Sequence, residues 1–144
     1  MSRKIMLLFD SLSVHGEAVQ YSIELAKRMD SSLVLLMLLP FESGENTSAG
    51  SDWLKDPEAR VHDALVRHIE AAKKVGVSVE TLVKMGDPPS ELMKFLAGPS
   101  TFQTIVWGGE QDLTNKKVRQ KKAHWLVKMK DILDCPVVIP SMKS

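Results

Sequence analysis

The chain has 144 residues, 44% of them hydrophobic, and a formal net charge of +1. That length supports one core, burying roughly 70% of the unfolded surface, and a charge so near zero excludes a long-range field able to gather DNA or an anionic membrane. The one cysteine, Cys135, excludes an internal disulfide or a multi-cysteine metal cluster and fits a reducing, cytoplasmic setting.

The first apolar run, "KIMLLF" from Lys4 to Phe9, stops at Asp10, too soon for a signal-peptide core. The longest, Leu33 to Leu39, is too short to cross a bilayer, so neither export nor a membrane partner is expected. "KIMLLF" and "SLVLLMLL" (Ser32 to Leu39) are continuously apolar, the pattern of central parallel strands covered on both faces. Between them Ala18, Ser22, Leu25, Ala26 and Met29 recur at helical spacing, which makes a crossover helix and a first βαβ unit. Residues 40–56 turn to Gly, Ser, Asn, Glu and Asp and predict a long mobile loop; too little chain precedes it for a domain boundary, so 1–144 reads as one domain.

Pro57 suits a helix start, Val61, Leu65, Ile69 and Ala72 form its apolar stripe, and Gly76 stops it. Val77 to Met85 alternates, as a half-exposed edge strand does. "GDPPSELMKFL" predicts a glycine turn and a helix with Leu92, Met93 and Leu96 inward. "TIVWGG" is the fourth strand with its turn, and a last helix places Val118, Trp125, Leu126, Met129, Ile132 and Leu133 on its core face. "CPVVIP" closes the chain with a short strand whose prolines fit a sheet edge. An apolar edge invites a second copy, so a homodimer through the 136–140 strand is expected. Strands and helices alternate throughout, which makes the fold α/β with an open parallel sheet.

In such a sheet ligands bind beyond the carboxyl ends of the strands, where strand order reverses. The candidate residues are therefore Asp10 and Ser11 after the first strand, Gly86 after the third, and Gly108 and Gly109 after the fourth. Asp10 suits a ribose acceptor, or equally a carboxylate bracing its own turn. A phosphate cradle needs several converging backbone N–H groups and glycines to keep side chains away. No glycine follows Gly109; Lys116, Lys117, Arg119, Lys121 and Lys122 follow instead, beside Glu110 and Asp112. That basic run reads as a self-compensated surface, and without interleaved aromatics it makes a poor platform for a nucleic acid. His15, His62, His68 and His124 show no metal-ligand spacing, and Ser11, His15 and Asp10 have no nucleophile elbow behind them.

Taken together, "KIMLLFDSLSVHGEAVQYSIELAKRMDSSLVLLMLL", "GDPPSELMKFL", "TIVWGG" and "LDCPVVIP" resemble the universal stress protein family over nearly the whole chain. The resemblance implies a five-stranded parallel sheet of order 3-2-1-4-5 with helices on both faces, a layout shared with adenine nucleotide alpha hydrolases. It also implies a cytoplasmic homodimer joined through the fifth strand, a role in stress survival and a possible adenine-nucleotide site to which Asp10 belongs. Family members that bind ATP carry a glycine, two residues, a glycine, nine residues, then glycine and Ser or Thr. Started at Gly109, that spacing meets Asp112 and then Lys122-Ala123, so the chain resembles the branch without the ATP signature. The expectation is a non-enzymatic interaction protein with an unnamed protein partner and no cofactor, retaining the adenosine half of a pocket at Asp10, Ser11, Gly86, Gly108 and Gly109. The alternative is an ATP or AMP binder with slow hydrolysis. A phosphoacceptor receiver domain is rejected, because the third strand ends in Met85-Gly86 without its aspartate.

Overall fold

A computed structural model describes residues 3–39, 57–98, 101–109, 125–133 and 135–140. Strand β1 (Lys4–Phe9) and strand β2 (Ser32–Leu39) span the two apolar runs residue for residue, and apart from their first residues every side chain in them is buried. Helix α1 (Gly16–Arg28) connects them, burying Ala18, Val19, Ser22, Ile23 and Ala26. Leu25 and Met29, on the same expected stripe, are only partly buried against that core. Helix α2 (Pro57–Lys74) ends at Gly76, whose φ of +85° supplies the left-handed turn a side chain would resist. Strand β3 (Val79–Met85) is half-exposed along its length.

Helix α3 (Pro88–Leu96) is capped by Asp87, whose carboxylate accepts from the Ser90 backbone N–H at 3.3 Å and from the Ser90 hydroxyl at 2.8 Å. Strand β4 (Thr104–Trp107), a short helix α4 (Trp125–Met129), a 3-10 turn (Lys130–Ile132) and strand β5 (Val137–Val138) complete the described chain.

All strand pairs are parallel and the order is β3-β2-β1-β4-β5, as the resemblance implied. The pleat of β1 divides the core in two. Ile5, Leu7 and Phe9 point to the face covered by Val19 and Ile23 of α1 and Val61 and Leu65 of α2. Met6 and Leu8 point to the face covered by Leu92 of α3 and Leu126 and Met129 of α4. Helices therefore cover both faces, and β1 and β4 part at the switch point where strand order reverses.

Two inward assignments are corrected. Met93 is 43% exposed and Ile132 is 65% exposed. Ile132 turns outward because the last helix tightens into a 3-10 turn after Met129, so a stripe counted at 3.6 residues per turn loses register there. Met93 sits beside Leu92, which takes the buried position on α3. The 40–56 loop, Val118 and the basic run Lys116 to Lys122 lie outside the described residues. No helix among the described residues is long and apolar enough to cross a membrane.

Candidate functional site

The carboxyl ends of β1 and β4 meet the loop Asp10–His15, and their contacts are mostly backbone. The Gly108 N–H donates to the Leu8 carbonyl at 2.7 Å, and the Gly108 carbonyl accepts from the His15 N–H at 2.8 Å. Val14 forms an antiparallel bridge with Gly109. The loop is thus laid along the end of β4, and both polar groups of Gly108 bond within the chain.

The glycine pair has a steric cause as well. A Cβ on Gly108 would lie 2.7 Å from Phe9 Cε2 and 2.8 Å from Leu7 Cδ1, both fully buried. A Cβ on Gly109 would lie 2.7 Å from Cζ2 of Trp107, itself 1% exposed. Neither neighbour is the free end of a flexible side chain, so glycine is required by the packing whether or not a ligand approaches.

Asp10 follows Met6 and Leu8 on the pleat, on the side where α4 lies. Its Oδ2 accepts from the indole N–H of Trp125 at 2.9 Å, in a part-buried contact. The carboxylate thus ties the end of β1 to the start of α4. Ser11 is exposed, and its hydroxyl oxygen accepts from the Ser13 N–H at 3.1 Å, a local turn closure.

His15 precedes α1 and has a side chain only 15% exposed. Its Nε2 is buried and finds no hydrogen-bond partner among the described residues; the Glu17 carboxylate, 4.0 Å away and largely exposed, is out of hydrogen-bond reach. The His68 imidazole lies against the start of α1, with Cε1 at 3.9 Å from where a Gly16 Cβ would be. Burial pushes its pKa below the ordinary 6.5, and the Arg67 cation pushes the same way.

Asp10, Ser11, Gly108 and Gly109 therefore come together at the switch point. Gly86 stands apart at the end of β3, separated from β1 by β2, with its N–H on the Leu39 carbonyl at 2.9 Å. Its φ of +142° and the Glu91 side chain at 3.0 Å from a would-be Cβ account for glycine there, and the turn serves the Asp87 cap. Trp125 is the member that sequence reasoning missed. The available signal was its indole N–H, a donor that a half-buried tryptophan must place on some acceptor. Among the described residues, no group of three or more His, Cys, Asp or Glu is arranged to hold a metal. An apolar groove of about 340 Å³ lies at the opposite end of the sheet, where Phe102 and Cys135 lead into β4 and β5, with Leu96, Ile132 and Leu133 beside them. Among the described residues its lining carries no charged group, and it is remote from Asp10.

A sequence model described as the universal stress protein family matches residues 1–99. The chain belongs to the universal stress protein family. The match ends before β4, so the stretch that departs from the family's glycine spacing lies beyond it. Solved structures of the family share the fold: a universal stress protein from Lactobacillus plantarum is 15% identical, with 95% of this chain and 96% of that one covered and a TM-score of 0.70. A universal stress protein in complex with cAMP is 12% identical, with 98% of each chain covered and a TM-score of 0.63. An Arabidopsis thaliana family member with AMP bound is 18% identical, with 99% and 93% covered and a TM-score of 0.56. No curated protein sequence matches the chain.

Proposed function

We propose that this universal stress protein acts as a cytoplasmic, non-enzymatic homodimer that engages a protein partner in the stress response, and that it neither holds nor hydrolyses ATP. The whole of 1–144 is taken as one domain. The observation that carries this reading is the state of the glycine pair. A triphosphate needs backbone N–H groups directed at it and unspent, whereas the Gly108 N–H already bonds Leu8 and both glycines are required by Phe9, Leu7 and Trp107. Beyond them the sequence offers Asp112 and Lys122 where the nucleotide-binding pattern has glycine. An aspartate at that point repels phosphate.

A surface for association is available at the other end of the sheet. β5 pairs on one side with β4, and Val137 and Val138 are half-buried. Ile132 projects beside the apolar groove that leads into this strand. Apolar groups at a short sheet edge favour a second copy of the same strand. The expected mass in solution is twice that of the chain, and a monomer mass independent of concentration would reject the dimer.

Melting the protein with ATP and magnesium tests the nucleotide half of the reading. Ligand at 100 times its dissociation constant would stabilise the fold by about 2.7 kcal/mol, so a clear ATP-dependent rise in Tm would overturn it; no rise is expected. A second reading, binding of AMP or adenosine, is favoured by the buried Nε2 of His15 beside the switch point, which has no hydrogen-bond partner among the described residues, and by the AMP and cAMP held by the two relatives named above.

A further inference from the structure

Trp125 opens α4, and its indole reaches across 115 positions of sequence to donate to Asp10. The body of the ring packs against the apolar cluster that contains Met6, Leu8 and Leu126. A flat bicyclic ring with one N–H donor thus sits at the end of β1, bonded to the carboxylate at the switch point. A nucleoside would recognise the same place by the same two properties: a flat bicyclic base laid on apolar surface, and a hydroxyl donating to a carboxylate.

The partner chosen for the indole is informative. An indole N–H is satisfied by any neutral carbonyl or amide oxygen, and a carboxylate in a part-buried place costs desolvation that a neutral acceptor would not. A carboxylate strengthens the bond to the single indole N–H, and it has the further capacity to accept both hydroxyls of a ribose diol together. The loop that carries Asp10 also ends in His15, whose buried Nε2 has no partner among the described residues and would be completed by a further polar group.

We propose that the Trp125 indole is an internal occupant of a nucleoside site at Asp10, so that a nucleoside binds only when the ring is displaced. This rests on the reading above, in which the phosphate half of the site is absent and the protein holds no ATP. The ligand class is then the nucleoside rather than its phosphates: adenosine and AMP bind alike, since no cradle distinguishes them. A site closed by its own side chain has an apparent affinity reduced by the fraction of time it is open. A hydrogen bond to a charged group at this depth makes that reduction about tenfold or more.

The test is calorimetric titration of adenosine and of AMP into the full chain, as the wild type, Trp125→Phe, Trp125→Ala and the double variant Trp125→Ala with Asp10→Ala. Far-UV circular dichroism and melting curves establish that each is folded. Trp125→Ala is expected to bind both ligands at least about tenfold more tightly than the wild type. Trp125→Phe keeps a ring but loses the donor, so it gains less and serves if the alanine variant does not fold. The double variant should lose the gain. The proposal is overturned if neither single variant binds adenosine more tightly, or if the gain survives the loss of Asp10. Either result leaves untouched the prediction that ATP does not stabilise the wild type, so the two readings fail separately.

Discussion

The two turns that flank the switch point are closed by different means. After β4, Gly108 and Gly109 are fixed by core packing: backbone bonds to Leu8 and His15, and fully buried Phe9, Leu7 and Trp107 where side chains would stand. After β1, Asp10 is engaged by a side chain from a distant helix, through a hydrogen bond that a rotamer change could open. A glycine pair after a strand suggests a ligand loop, and a carboxylate after a strand suggests a turn brace. Here the geometry favours the reverse, with the glycines serving the fold and the carboxylate left as the exchangeable contact.

Breaking the rigid turn should have the largest effect. Gly108→Ala places a methyl 2.7 to 2.9 Å from the Phe9 ring and Leu7, neither of which has exposed surface to move into. The expected loss is about 3 kcal/mol, the upper part of the overpacking range, or a Tm drop of roughly 10 °C for a chain of this size. Gly109→Ala meets one ring edge, that of Trp107, and should cost about 2 kcal/mol. Both losses are expected without any ligand present. A glycine pair kept only for a phosphate would leave the melting temperature of the empty protein unchanged on either substitution.

Trp125→Phe breaks the second closure and should be milder. It removes one part-buried hydrogen bond to a carboxylate while keeping an aromatic ring on the Met6 and Leu8 side of the sheet, at an expected cost of about 1.5 kcal/mol. A denaturant midpoint that falls while the slope is unchanged would locate the loss in the native contact. A loss as large as that of Gly108→Ala would mean that Trp125 is as much a part of the rigid frame as the glycines, and the contrast between the two turns would collapse.

Much of this arrangement was legible before the structure, and the reasons are physical. β1 and β2 are buried on both faces, so their apolar runs end where burial ends, and their limits follow directly from the sequence. The stripe of α2 was read from its period, and β3 from its alternation. The reading erred at Met93 and Ile132, which both border the open apolar groove, and at Ile132 a 3-10 turn also changes the period. In the site, the need for glycine at 108 and 109 was visible but its cause was not, since Phe9 and Trp107 reach those positions only once β1 and β4 are paired. The contact between Asp10 and Trp125 could not be read at all: periodicity places a tryptophan on a face without naming the acceptor its N–H will find.

The smallest expected effect concerns the support of the same loop from the other side. His68 on α2 lies against Gly16, one residue beyond the His15 that donates to Gly108. Its pKa is lowered below 6.5, first by burial and second by Arg67, so below about pH 6.5 the unfolded chain takes up a proton that the folded chain resists. Stability from this group is therefore complete above the unfolded value and declines as pH falls through it. His68→Gln keeps a polar side chain without the titration and should flatten the acid limb of a plot of Tm against pH. Arg67→Gln removes only the lesser cause, and one that salt screens, so it should flatten the limb less than His68→Gln, and less again at high ionic strength. Equal flattening by the two variants would make charge rather than burial the dominant influence on His68, and α2 would then touch the loop as an exposed neighbour rather than as a packed support.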